Sequence, residues 1–163
     1  MAATGSTTLT STTWELVITR AFDAPRALVF KAWTEPARLV RWWGPQGFKT
    51  PSCKMDVREG GAWRICMRSP EGTDHWVQGV FREIVEPERL AFTWAWEDDE
   101  GKPGHQTVVA VNFTEQAGKT RLVVHQGAFQ SADARDRHDD GWSSCLDRLG
   151  EYLHASADDQ SQA

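Results

Sequence analysis

The chain has 163 residues, with 18 Lys and Arg against 23 Asp and Glu for a formal charge of −5, and 40% hydrophobic against 25% charged residues. At about 150 residues per domain this length accommodates one domain, large enough to bury an ordinary core without staples. The acidic balance argues against a broad nucleic-acid or anionic-membrane footprint, which needs clustered positive charge, and no stretch approaches the roughly 18 consecutive apolar residues of a membrane span.

Residues 2–13 are almost all Ala, Gly, Ser and Thr. They lack both a basic n-region and an apolar h-region, so a disordered leader over 1–13 is expected and not a signal peptide. Trp14, Leu16 and Ile18 then alternate with Glu15, Val17 and Thr19, the period of a strand. Asp23-Ala24-Pro25 supplies a capping residue followed by Pro at about the first helical position. Leu28, Val29, Ala32 and Trp33 follow at helical spacing. Thr34-Glu35-Pro36 restarts the pattern, with Leu39, Val40 and Trp43 on one face of a second short helix ending at Gly44-Pro45.

From there the period falls to two. Cys53, Met55 and Val57 form one alternating set, and the Glu59-Gly60-Gly61 turn leads into Trp63, Ile65 and Met67. A turn at residues 69–72 opens a strand from His75 to Val85, which carries apolar residues on both faces and leaves its inward side undecided. Leu90, Phe92, Trp94 and Trp96 share the next inner face. After the acidic turn 97–104 come Thr107, Val109, Val111 and Phe113, then Thr120, Leu122, Val124 and Gln126. Successive hairpins of this kind predict an antiparallel meander. From about Ser131 to Ala155, the residues Trp142, Cys145, Leu146, Leu149, Tyr152 and Leu153 make one apolar stripe of a long amphipathic helix. The expected class is α+β: one domain over 14–155 whose curved sheet wraps the long helix, followed by a polar, disordered tail over 156–163.

Nine Trp stand beside a single Tyr, so the core is rich in large flat surfaces whose indole N–H groups need partners. Cys53, Cys66 and Cys145 are odd in number, far apart and outside any C-x-x-C pair, which points to reduced thiols in a cytoplasmic setting and away from zinc or disulfides.

The runs R-A-F-D-A-P-R-A-L-V-F-K-A-W-T-E-P at 20–36, R-W-W-G-P at 41–45, M-D-V-R-E-G-G-A-W-R at 55–64, P-E-R-L-A-F-T-W at 87–94 and G-W-S-S-C-L-D-R-L at 141–149 resemble the bacterial relatives of the heat-shock-protein ATPase activator C-terminal domain. That family lies within the START-like, or SRPBCC, superfamily with the helix-grip fold. The resemblance covers about residues 14–155. It implies a cavity between sheet and helix that in different relatives holds lipids, sterols, polyketides or plant hormones, and in a minority performs catalysis. The eukaryotic activators carry a further N-terminal domain for which this chain has no room, so a chaperone partner is not the expectation. A fold does not by itself dictate a function.

The expected pocket follows from the inner faces: Trp63, Ile65 and Met67 on one strand, Phe92 and Trp94 on a second, Val111 and Phe113 on a third, and Gln126 on a fourth. The helix contributes Gly141, Trp142 and Cys145. Gly141 inside a helical pattern costs roughly 1 kcal/mol relative to Ala, and close approach of sheet or ligand is the expected reason. Gln126, polar on an apolar face, needs a buried partner. The five histidines fall on different elements and are read as surface residues, with His75 open because an odd inner face would bring it and Glu83 to the pocket. No hydrolase, zinc-protease, P-loop or dinucleotide motif is present. The expectation is therefore a binder of a hydrophobic small molecule, with no cofactor, metal or catalytic residue assigned and a homodimer left open. A cyclase- or dehydratase-like enzyme and an activator-like interaction module are the alternatives.

Overall fold

The computed structural model describes the backbone of residues 14–162, with side chains through Ser156; the leader expected over 1–13 lies outside the described residues. The elements run β1 (Trp14–Phe22), α1 (Arg26–Thr34), α2 (Pro36–Leu39), β2 (Lys49–Met55), β3 (Ala62–Arg68), β4 (Asp74–Val85), β5 (Arg89–Trp96), β6 (Thr107–Gln116), β7 (Lys119–Phe129) and α3 (Ala132–Gln162). Seven antiparallel strands form one curved sheet in the order β1-β7-β6-β5-β4-β3-β2, with β1 closing against the last strand of the meander. Among the described residues no helix is long and apolar enough to cross a membrane.

Alternation dictates what the concave face buries. Cross-strand pairs Phe113↔Leu122, Val111↔Val124 and Val109↔Gln126 place one inner row of β6 against that of β7, and Phe92↔Val109 continues it into β5. All of these side chains are buried. On β4 the odd face is inner, since Val77 and Phe81 are buried. A β-bulge between Phe81 and Glu83 then reverses the phase. Ile84 turns inward opposite Leu90, while Glu83 pairs outside with Arg89 at 2.7 Å. The shared face expected for His75 and Glu83 is thereby broken. Gly79 is required on this strand: a Cβ there would collide with the Thr93 carbonyl and the Trp63 indole.

The expected cap of α1 is displaced. Pro25 occupies the N-cap with no side-chain cap, and the first helical amide, Arg26 N–H, instead donates to Glu115 Oε1 at 2.8 Å. Helices α1 and α2 bring Phe30, Trp33 and Leu39 into the core, with Phe30 edge-on to Phe113 at 5.3 Å and Trp33 stacked on Trp142 at 5.8 Å. Helix α3 lies against β1 and β7, where Arg20 pairs with Asp147 at 2.6 Å and donates to the Ser143 carbonyl at 3.2 Å. It runs to Gln162, beyond the end expected at Ala155. On the outer sheet face Arg64 and Arg68 pair with Glu97 and Asp74. Glu97, expected at a solvated turn, has a side chain only 2% exposed. Arg64, then Gln78, hydrogen-bonds its carboxylate and holds its pKa below the usual range.

Candidate functional site: a cleft under the long helix

A cleft of about 660 Å³ opens between the N-terminal half of α3, the β5 and β6 ends and the loop after α2. The loop wall is the W-W-G-P segment, represented by Trp43, Gly44 and Pro45, with Phe48 beyond it. Gly44 has φ +91°, and a Cβ there would press on Phe48 at 3.2 Å, so the turn calls for glycine. Arg148 of α3 pins this loop: its Nη1 donates to the carbonyls of Trp43, Gly44 and Pro45 at 2.9, 3.0 and 3.2 Å. The Gln46 amide adds a bond to Ser144 Oγ at 2.8 Å.

The sheet wall comprises Met67, His75, Trp94, Trp96 and Thr107, and the helix wall Ala134, Arg137, His138, Gly141, Trp142 and Cys145. The rings interlock around Trp94, whose centroid lies 5.8 Å from Trp43, 5.8 Å from Trp142 and 5.5 Å from Trp96. Trp142 is held by a buried relay. Its Nε1–H donates to Gln126 Oε1 at 2.7 Å, and Gln126 Nε2 donates to Thr107 Oγ1 at 2.9 Å. Gln126, 0% exposed, thus finds its partners inside the protein.

His138 was expected at the surface, yet it is half-buried against Phe129 at 4.9 Å and accepts the Trp96 indole N–H on Nε2 at 3.0 Å. An indole only donates, so Nε2 is the acceptor and the ring proton sits on Nδ1. Burial, then the Arg137 charge, lowers the His138 pKa from 6.5 to about 4. His105 also borders the cleft and donates Nε2–H to the Ala128 carbonyl at 2.7 Å. Cys145 is no nucleophile, because burial pushes its thiol up to about 12.

The structure divides the residues expected to form the pocket. Met67, Trp94, Gly141, Trp142 and Cys145 border the cleft. Trp63, Ile65 and Phe92 instead surround a separate void of about 20 Å³ deeper in the core, room for about one water. Val111, Phe113 and Gln126 are packed or bonded away from the cleft: Phe113 against Phe30 of α1, and Gln126 to Trp142 of α3 and to Thr107. For Gly141 the sheet half of the expected reason is corrected: outside the helix's own backbone nothing lies within 4 Å of a Cβ built there, so the sheet makes no close approach. Sequence reasoning missed Trp43, Phe48, His105, Phe129, Arg137 and His138. Of these His138 had a signal, since it lies at i−4 from Trp142 and i−7 from Cys145 on the same helical stripe. His75 does border the cleft, while Glu83 does not.

The whole fold has close counterparts. The AHSA1 protein of Silicibacter pomeroyi is 28% identical with a TM-score of 0.80, covering 88% of this chain and 99% of that one. A Chromobacterium violaceum protein is 26% identical with a TM-score of 0.75, over 85% and 96% of the two chains. A Mycobacterium smegmatis protein is 26% identical with a TM-score of 0.74, over 86% and 91%. No curated protein matches the chain. The family model described as AHSA1, Activator of Hsp90 ATPase homolog 1-like protein, matches residues 23–154, and the chain belongs to that family within the START-like fold.

Proposed function

We propose that the chain binds an apolar, ring-containing small molecule in the cleft beneath α3. The observation that carries this reading is the 660 Å³ space itself, walled by Trp43, Trp94, Trp96 and Trp142 and left unfilled by any side chain. Its size lies within the roughly 300–1,000 Å³ of small-molecule sites, and its mix of aromatic walls with a few polar groups is their usual composition. The helix-grip fold of the family commonly serves the same purpose.

The test uses Nile red, a neutral apolar dye, with wild type and Gly141→Leu. Since nothing lies near a Cβ at Gly141, the leucine should project into the cleft without disturbing the fold. Wild type should bind the dye with enhanced emission, and the folded variant should bind it at least about tenfold more weakly. Equal affinity in a folded Gly141→Leu protein would move the site elsewhere.

A further inference from the structure

The walls of the cleft offer hydrogen-bond donors, have committed several of their acceptors, and keep only neutral side-chain acceptors such as Nδ1 of His105. Trp43 and Trp94, 3% and 5% exposed, border the cleft, and their buried indole N–H groups, like those of Trp33 and Trp63, have no partner in the protein. Trp96 uses its own N–H on His138 Nε2, which leaves His138 with Nδ1–H to donate. The three carbonyls of the W-W-G-P loop are occupied by Arg148. The Thr107 oxygen accepts from Gln126 and its hydroxyl donates to the Trp94 carbonyl at 3.5 Å.

Formal charge points the same way. No Asp or Glu borders the cleft, whereas Arg137 does. Arg137 makes no ion pair with any described residue, unlike Arg20, Arg64, Arg68 and Arg89. Asp133 and Asp140, at i−4 and i+3 on the helix, are exposed to solvent, where screening weakens their hold on it. A cation would find aromatic faces here, but desolvating it beside unpaired N–H groups and a guanidinium costs more than those faces return.

We infer that the occupant is an aromatic carboxylate, its rings against the cleft side of the Trp43, Trp94 and Trp142 cluster and its carboxylate at the Arg137 end of the cleft. This rests on the binding reading above and names the ligand class. A carboxylate accepts only, in up to four directions, and a guanidinium matches it in charge and planar geometry.

Three naphthalenes separate the alternatives by isothermal titration: the carboxylate, the methyl ketone and the methylammonium. The carboxylate should bind at least about tenfold tighter than the ammonium, because charge-assisted bonds are the strong ones. Arg137→Gln should weaken the carboxylate about five- to tenfold and the ketone less than about twofold, and added salt should weaken the carboxylate alone. Ammonium binding equal to or tighter than the carboxylate would overturn the inference while leaving the cleft as a site. An Arg137→Gln protein that loses ketone and carboxylate alike would also overturn it. Binding of none of the three would remove the cleft reading together with the inference.

Discussion

From Trp142 onward α3 meets the sheet with Leu146, Leu149 and Leu153, all at most 3% exposed, whereas the two turns before Trp142 present Ala134, Arg137, His138 and Gly141 to the same concave surface. The first set has the length and apolar character to interdigitate with Phe22, Leu122 and α1, and the seam closes. In the second set Ala134 and Gly141 are short and Arg137 and His138 are polar; His138 reaches Trp96 of β5, and the rest of the seam stays open as the cleft. Trp142 is the boundary between them, fixed by its bond to Gln126 and by Trp33 stacked on its ring. One amphipathic helix therefore supplies core over one half and a site over the other, by side-chain size and without any break in the backbone.

The sharpest way to break that contrast is to remove one leucine from the closed end. Leu149→Ala, at a position 0% exposed, should cost about 2–5 kcal/mol in urea unfolding. The matching change at the open end, Arg137→Ala, should stay within about 0.5 kcal/mol. Losses of similar size at both positions would show that the two halves do not differ in packing.

The boundary comes next. Gln126→Leu keeps the volume but leaves the Trp142 N–H and the Thr107 hydroxyl without their partner. Orphaning a buried donor costs about 1–3 kcal/mol. Unfolding midpoints of the variant should fall accordingly, and Nile red affinity should drop as the Trp142 ring loses its orientation. A variant as stable as wild type would mean that the relay does not hold the boundary.

Most of the closed half could be read from the chain before its structure was known. Period-two runs placed Val109, Val111 and Phe113 on one face, and helical spacing placed Leu146, Leu149 and Leu153 on another, because burial on one side leaves a periodic mark. The open half leaves a weaker one. Trp43 was expected on the second short helix, but that helix ends at Leu39, and Trp43 and Phe48 reach the cleft from the loop after it, whose side-chain directions follow Gly44 and the Arg148 clamp. Glu83 changed faces at a bulge that no composition announces. Trp63 and Phe92 do face inward, but alternation assigns a face and not a position along it, and so could not separate the core from the cleft.

The cleft's histidine makes a prediction in pH. The folded His138 pKa, about 4, lies below the unfolded value of 6.5. Between these values the unfolded chain holds a proton at His138 that the folded chain does not, so stability rises with pH across the window and is lost as pH falls toward about 4. Partial exposure keeps this effect below the buried-leucine loss. NMR titration should find the His138 ring neutral at pH 6, and His138→Gln, which retains an acceptor for Trp96, should flatten the slope between pH 6.5 and 4. A His138 titration midpoint near 6.5 would place the ring in solvent and detach it from Trp96.

The smallest expected effect compares two glycines of the same helix. At Gly141 a Cβ meets no atom within 4 Å, while at Gly150 it would touch Phe22 at 3.6 Å, an ordinary contact. Alanine at either position should raise stability by up to about 1 kcal/mol, since helix propensity improves and neither site clashes. Leucine should separate them. At Gly141 the added carbons enter the cleft and the gain is retained, while at Gly150 they must displace Phe22 from the closed seam, and overpacking of that kind costs about 1–3 kcal/mol. Thermal melts of the four variants decide the matter. If Gly141→Leu is as damaging as Gly150→Leu, the space beneath the first half of α3 is already filled in solution, and the contrast between the two halves collapses.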